Sequence, residues 1–178
     1  MGSKPRTYLD WNATAPLLPA VRDALMSCFD MVGNPSSVHR EGRNVRAAVE
    51  AARRDVAALV GAQATHVIFT SGATEAANMV LSPAYKMGRA ALTVGHLYIS
   101  AIEHPAIREG GRFDKASMTE IAVTHDGVID LAALQSALSA HDASLGMPML
   151  ALMLVNNETG IVQPVAEAGR LVHAAGGI

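Results

Sequence analysis

An α/β sheet covered by helices on both faces is the fold class this sequence predicts, and three observations predict it. From residue 66 onward, short β-prone apolar runs alternate with helix-forming stretches at the spacing of a parallel sheet with crossover helices. The run Val67-Ile68-Phe69-Thr70 breaks at Ser71-Gly72 and continues as helix-forming Ala73-Thr74-Glu75-Ala76-Ala77-Asn78. The 178 residues, 50% of them hydrophobic and 17% charged, suffice for one sizeable core and carry no compositional mark of disorder.

Tyr8-Leu9-Asp10 reads as a short extended segment before a proline-containing turn. Pro19 to Met31 reads as a helix with Val21, Leu25 and Phe29 on one face, and Gly33-Asn34-Pro35-Ser36-Ser37 breaks it. A longer helix covers about Arg43 to Val60, with Val45, Val49, Val56 and Leu59 on one side and Gly61 as its stop. There follow strand 66–70, helix 74–82, strand 97–101, a short helix after Pro105, strand 119–123, helix 130–140, strand 149–155 and helix 164–175. Ala174-Ala175-Gly176-Gly177-Ile178 reads as a helix C-cap followed by the first residue of a further strand, or as a frayed terminus.

A net charge of -2 with interspersed signs argues against a nucleic-acid footprint. The densest basic group, Arg53-Arg54 near Arg40, Arg43 and Arg46, lies beside Glu41, Glu50 and Asp55 and reads as a solvated helix face. The single cysteine, Cys28, excludes an internal disulfide and reads as a buried structural thiol, having no neighbouring His or Lys. The seven histidines are spread without metal-ligand spacing, so no zinc site is expected. The start carries no apolar signal region, and Arg6 stands where a myristoylation signal needs Ser or Thr. A reducing, cytoplasmic setting without a membrane-spanning segment is the expectation.

Three stretches carry chemistry. At Ser71-Gly72-Ala73-Thr74, a strand-turn-helix junction would point free amides and the positive end of the helix dipole at an anion, with Thr74 adding a hydroxyl. The same pattern also serves any tight connection in an α/β sheet; it lacks the further glycines of a dinucleotide fingerprint and the Gly-Lys-Ser/Thr of a P-loop. Glu103-His104-Pro105-Ala106 offers an imidazole, read alone as a loop histidine held before proline. Asn156-Asn157-Glu158-Thr159-Gly160 is ordinary turn chemistry, except that its place at the carboxyl end of a strand is where α/β sheets bind ligands.

Taken in order with Tyr8-Leu9-Asp10-Trp11-Asn12-Ala13-Thr14-Ala15-Pro16 and Gly33-Asn34-Pro35-Ser36-Ser37-Val38-His39, these stretches closely resemble the cysteine desulfurases of the NifS/IscS type. Those belong to the class V aminotransferase group of pyridoxal-phosphate enzymes, fold type I. The resemblance implies a large-domain sheet with flanking helices: residues 1–15 as an N-terminal segment packing with a small domain, and residues 16–178 as the N-terminal part of the cofactor-binding large domain.

By the same resemblance, pyridoxal 5′-phosphate would be held through its phosphate by the backbone of Ala73 and Thr74 and the Thr74 hydroxyl. His104 would stack on the pyridine ring and move protons at the substrate carbon, and Asn157 would donate to the phenolic oxygen. Asn156 and Glu158 would shape the turn, and Asn34 and His39 would lie near the site entrance and subunit boundary. The implied reaction takes sulfur from L-cysteine to an enzyme persulfide and releases L-alanine, in a homodimer that serves a sulfur acceptor or iron-sulfur scaffold protein. No nucleic-acid or membrane partner is implied. A selenocysteine lyase or transaminase is the near alternative, and a non-catalytic interaction module the distant one.

The resemblance places beyond Ile178 the Asp that pairs with the pyridine nitrogen, a nearby Gln, the Schiff-base lysine, the mobile-loop cysteine and the small domain. Lys4, Lys86 and Lys115 match no such motif, and Cys28 is not a substitute nucleophile. The expectation is a large-domain portion truncated before that lysine, binding phosphate or cofactor at most weakly and inactive alone.

Overall fold

The computed structural model describes residues 6–178, in two compact units, residues up to Phe69 and Thr70–Ile178. Of the expected 1–15 segment, residues 1–5 lie outside the described residues, and 6–15 are extended chain and a turn at 11–13.

In the first unit, α1 spans Pro19–Phe29, opened by a proline whose fixed φ suits the first helical position. None of its residues is buried. Cys28 is exposed, not the buried thiol expected, because the apolar stripe Val21, Leu25, Phe29 that was to cover this helix meets no partner among the described residues. Helix α2 spans Arg40–Leu59 and starts earlier than its apolar pattern suggests, because the His39 side chain caps it by accepting from the Gly42 amide. It stops at Gly61 as expected: with φ at 65°, the Gly61 amide donates to Ala58 O and that of Ala62 to Ala57 O, satisfying the last carbonyls.

The expected strand 66–70 is absent. A 3₁₀ turn covers Ala64–His66, and residues 67–70 are irregular. A strand persists only where a neighbour takes its backbone groups, and none of the described residues does so. Arg53 occupies the segment instead: its guanidinium donates to the Val67 carbonyl and lies 5.0 Å from the Phe69 ring centroid. Arg53, which also pairs with Glu50 at 3.3 Å, is therefore not simply a solvated charge.

The second unit is built around one strand. Helix α3 (Ala73–Val80) precedes β1 (Ala84–Met87), which pairs antiparallel with β2 (Ala90–Ser100). The carboxyl half of β2 lies between two parallel neighbours, β3 (Met118–Ile121) and β4 (Met147–Ala151). Register runs from Leu97↔Met118 to Ser100↔Ile121 on one side and from Val94↔Met147 to Ile99↔Ala151 on the other. It shifts between Val94 and His96, opposite Pro148, where a proline with no amide to donate fits a bulge. The β1–β2 hairpin is absent from the sequence expectation, because Ala-rich Ala90-Ala91 and Gly95 mask the first half of β2.

Helices α4 (Pro105–Arg108), α5 (Leu131–Ser139) and α6 (Val165–Ala174) complete the unit. Alternation along β2 sends Tyr98 to one face, with Ile121, Leu134, Leu138, Ala168 and Val172, and Leu97 and Ile99 to the other, with Leu81, Val94, Phe113 and Met149. Both faces are thus covered as expected, and burying side chains such as Leu134 and Leu97 contributes about 1.5–3 kcal/mol each. Asp130 caps α5, accepting from the amides of Ala132 and Ala133 at 2.9 and 3.0 Å. After α6, Ile178 pairs with the outer edge of β4, donating to Pro148 O and accepting from the Leu150 amide.

Candidate active site

The three chemical stretches all lie in the second unit. The most regular is the amino end of α3. Gly72 precedes the helix in extended conformation, no side chain caps the first turn, and nothing lies within 4 Å of where a Cβ on Gly72 would stand. The amides of Ala73 and Thr74 open the helix at positions with no intrahelical acceptor. Glu75 reaches back to accept from the Ser71 amide at 2.6 Å, and hydrogen bonds from the Ser71 side chain and amide hold its carboxyl below its ordinary pKa. This ties the turn while leaving Ala73, Thr74 and the open space at Gly72, a donor set that fits a phosphate.

His104 ends the connection from β2 and caps α4. Its Nδ1 accepts from the Ala106 amide at 3.1 Å, so the neutral ring carries its proton at Nε2. The ring is exposed, unlike that of a packed core histidine. Pro105 fixes the first helical position, and the Ile107 and Arg108 amides donate to the His104 carbonyl.

Asn157 sits in the turn of a small hairpin that follows β4 and closes through the Val155↔Val162 bridge. Its neighbour Asn156 builds that turn. The buried Asn156 Oδ1 accepts from the Glu158 amide (2.9 Å), the Thr159 amide (2.8 Å) and the Thr159 hydroxyl (3.1 Å), while its backbone amide donates to Ile161 O. Gly160, with φ at 73°, makes the return that a side chain would strain. Asn157 is left exposed at the tip.

Because β2 and β4 are parallel neighbours, the connections that carry His104 and Asn157 both leave the sheet at its carboxyl end, where open α/β sheets receive ligands. Ala73 shares an apolar groove with Ile107 of α4 and Ala151 at the end of β4, which brings the α3 junction to the same sheet. Asn34 and His39 belong to the first unit and serve local caps: Asn34 Oδ1 accepts from the Ser36 amide, and His39 Nδ1 lies 3.2 Å from the Gly42 amide and 3.0 Å from Glu41 Oε2.

Two residues that sequence reasoning left without a role are prominent. Glu103 is 6% exposed, and its Oε1 accepts from the Met153 amide. Burial pushes its carboxyl pKa up, opposed by hydrogen bonds from the Met153 and His104 amides. The signal was a carboxylate directly after an apolar strand exit. Gln163, 3% exposed, accepts from the Ile129 amide and donates to Gly127 O, pinning the loop before α5 to the far side of the hairpin.

The aminotransferase class-V family matches residues 7–178. The chain belongs to that family. Class-V relatives include human cysteine desulfurase, 38% identical over 169 residues, covering 92% of this chain and 35% of the human protein. Cysteine desulfurase IscS of Enterobacter sp. (strain 638) is 37% identical over 185 residues, covering 95% and 42%. Among solved structures, the NifS-like protein from Rickettsia africae ESF-5 superposes with a TM-score of 0.80 at 29% identity, over 96% of this chain and 45% of that one. The chain spans less than half the length of these relatives.

Proposed function

We propose that this chain is the cofactor-binding portion of a pyridoxal-phosphate-dependent cysteine desulfurase, which takes sulfur from L-cysteine and leaves L-alanine. The observation that supports it is the parallel pairing of β2 with β4, whose carboxyl ends lead to His104 and to Asn157, in a chain related to cysteine desulfurases along nearly its whole length.

The Ala73 and Thr74 amides, with the Thr74 hydroxyl, would hold the cofactor phosphate at the uncapped start of α3. The exposed His104 ring would lie against the cofactor ring, and since Nδ1 is engaged by the Ala106 amide, Nε2 would be the atom that holds or moves a proton. Asn157 would donate its side-chain amide to the phenolic oxygen and help hold the cofactor. When bound, the cofactor supplies an electron sink for charge developing at the substrate carbon. A homodimer delivering sulfur to an acceptor or iron-sulfur scaffold protein completes the reading.

Titration of the chain with pyridoxal 5′-phosphate, followed by absorbance and by the NMR signals of Thr74, His104 and Asn157, tests it. Saturable shifts at all three, weakened by inorganic phosphate and by Thr74→Ala, are the expected result. Cofactor binding that leaves these residues untouched would refute the assignment.

A further inference from the structure

We propose that Glu103 is a positioning residue for the cofactor site: its buried carboxylate, bonded to the Met153 amide, fixes the segment carrying His104 against the segment carrying Asn157. The role presupposes that those two side chains hold the cofactor.

The backbone ladder between β2 and β4 ends at Ile99↔Ala151. Beyond it the two chains run on to His104 and Asn157, and nothing in a parallel ladder that has stopped keeps them at a set spacing. Side chains take over where backbone bonding ceases. Glu103 reaches across to the Met153 amide, and Asn156 reaches back, donating from Nδ2 to the Ile102 carbonyl at 3.0 Å. The two ties run in opposite directions between the same two segments. Each is made by the residue immediately before a site residue, Glu103 before His104 and Asn156 before Asn157.

Asn156 also has a turn to build, so its place is explained without the site. Glu103 has no turn to build: besides the Met153 amide, its carboxyl accepts from the amide of His104, the site residue itself, and among the described residues it pairs with no Lys or Arg. A carboxylate in a site 6% exposed is costly unless hydrogen-bonded, and a charged acceptor gives the stiffer bond. Stiffness in this bond is transmitted directly to His104, whose backbone is the next in the chain and whose ring is already fixed at Nδ1 by the Ala106 amide.

The test uses the chain in wild-type, Glu103→Ala, Glu103→Gln and Glu103→Asp forms, with folding checked by far-UV circular dichroism. It reads Met153 amide exchange, the His104 ring and Asn157 side-chain amide signals, and their response to pyridoxal 5′-phosphate. In Glu103→Ala, Met153 exchange is expected to accelerate about tenfold or more, the other two signals to move, and the cofactor-induced shifts to shrink. Glu103→Gln, which keeps the acceptor, restores all three. If Glu103→Ala fails to fold, Glu103→Asp, with its acceptor drawn back by one methylene, is expected to move the same signals in a folded chain.

A wild-type cofactor response retained unchanged in a folded Glu103→Ala or Glu103→Asp overturns the positioning role alone, as does a loss that Glu103→Gln does not rescue. No cofactor response at His104 or Asn157 in the wild-type chain overturns the cofactor assignment and this role with it.

Discussion

At the scale of single residues, Asn156 shows how much structure one side chain organises. Its amide oxygen takes two backbone amides and a hydroxyl, and its nitrogen serves the Ile102 carbonyl, all at a residue 7% exposed. Asn156→Ala removes the partner of those groups and is expected to lower the unfolding free energy by about 1–3 kcal/mol in urea denaturation. A loss below about 0.5 kcal/mol would mean that water reaches the turn and replaces the amide. Sequence reasoning assigned Asn156 to the turn because Asn before Glu-Thr-Gly is turn chemistry that needs only local information. It missed Glu103, since a carboxylate's burial depends on a strand that arrives 50 residues later. His104 was legible as a position before a short helix and not as its cap, because the helix alone does not say which way an exposed imidazole turns.

At the scale of elements, β2 carries a ring cluster on the face opposite Leu97. His96 donates to or accepts from Thr119 Oγ1 at 2.8 Å, and its ring centroid lies 4.8 Å from that of Tyr98 and 6.4 Å from that of His141. Burial, and then the neighbouring His141, lower the His96 pKa from its ordinary 6.5. The unfolded chain therefore binds this proton first as pH falls. The associated stability is present above pH 6.5 and is lost as pH drops from there through the lower folded value. Thermal melts from pH 7.5 to 5 are expected to show a falling midpoint that His96→Gln flattens; equal slopes in both proteins would remove His96 as the cause.

Segment 67–70 makes the complementary point. Its apolar, β-branched composition was read correctly as a strand's composition, but a strand is a pairing and not a property of one segment. Without a ladder, the Ile68 and Phe69 amides are expected to exchange with deuterium at least about a hundredfold faster than those of Tyr98 and Ile99. Protection of Ile68 equal to that of Ile99 would show that it finds a partner in solution.

For the whole molecule, the apolar surface is the dominant fact. Leu17 and Leu18 just before α1, and Leu25, Met26 and Phe29 along it, are 49–80% exposed, and Ile68 is 69% exposed. Exposed apolar side chains in this number favour association. Light scattering is expected to show concentration-dependent self-association, reduced by the double substitution Leu25→Lys, Phe29→Glu. Unchanged association would locate the sticky surface elsewhere. The alternation from the second half of β2 onward, both faces of the sheet and most helix bounds were legible because they rest on local periodicity. The exposure of Cys28 was not, since it depends on what a helix packs against.

The central position of β2 also dictates an order of assembly. Its hairpin with β1 joins neighbours in sequence through a turn at Gly88, so little loop entropy opposes it. Its pairing with β4, by contrast, must close a long loop before any bond rewards the closure, and such non-local parallel contacts form slowly. The Glu103–Met153 tie lies at the far end of that loop. In pulse-labelled refolding, the amides of β1 should gain protection before those of Met149 and Met153, which makes the carboxyl end of the sheet, with the segments carrying His104 and Asn157, the latest-maturing part of this unit and the first to open when it frays.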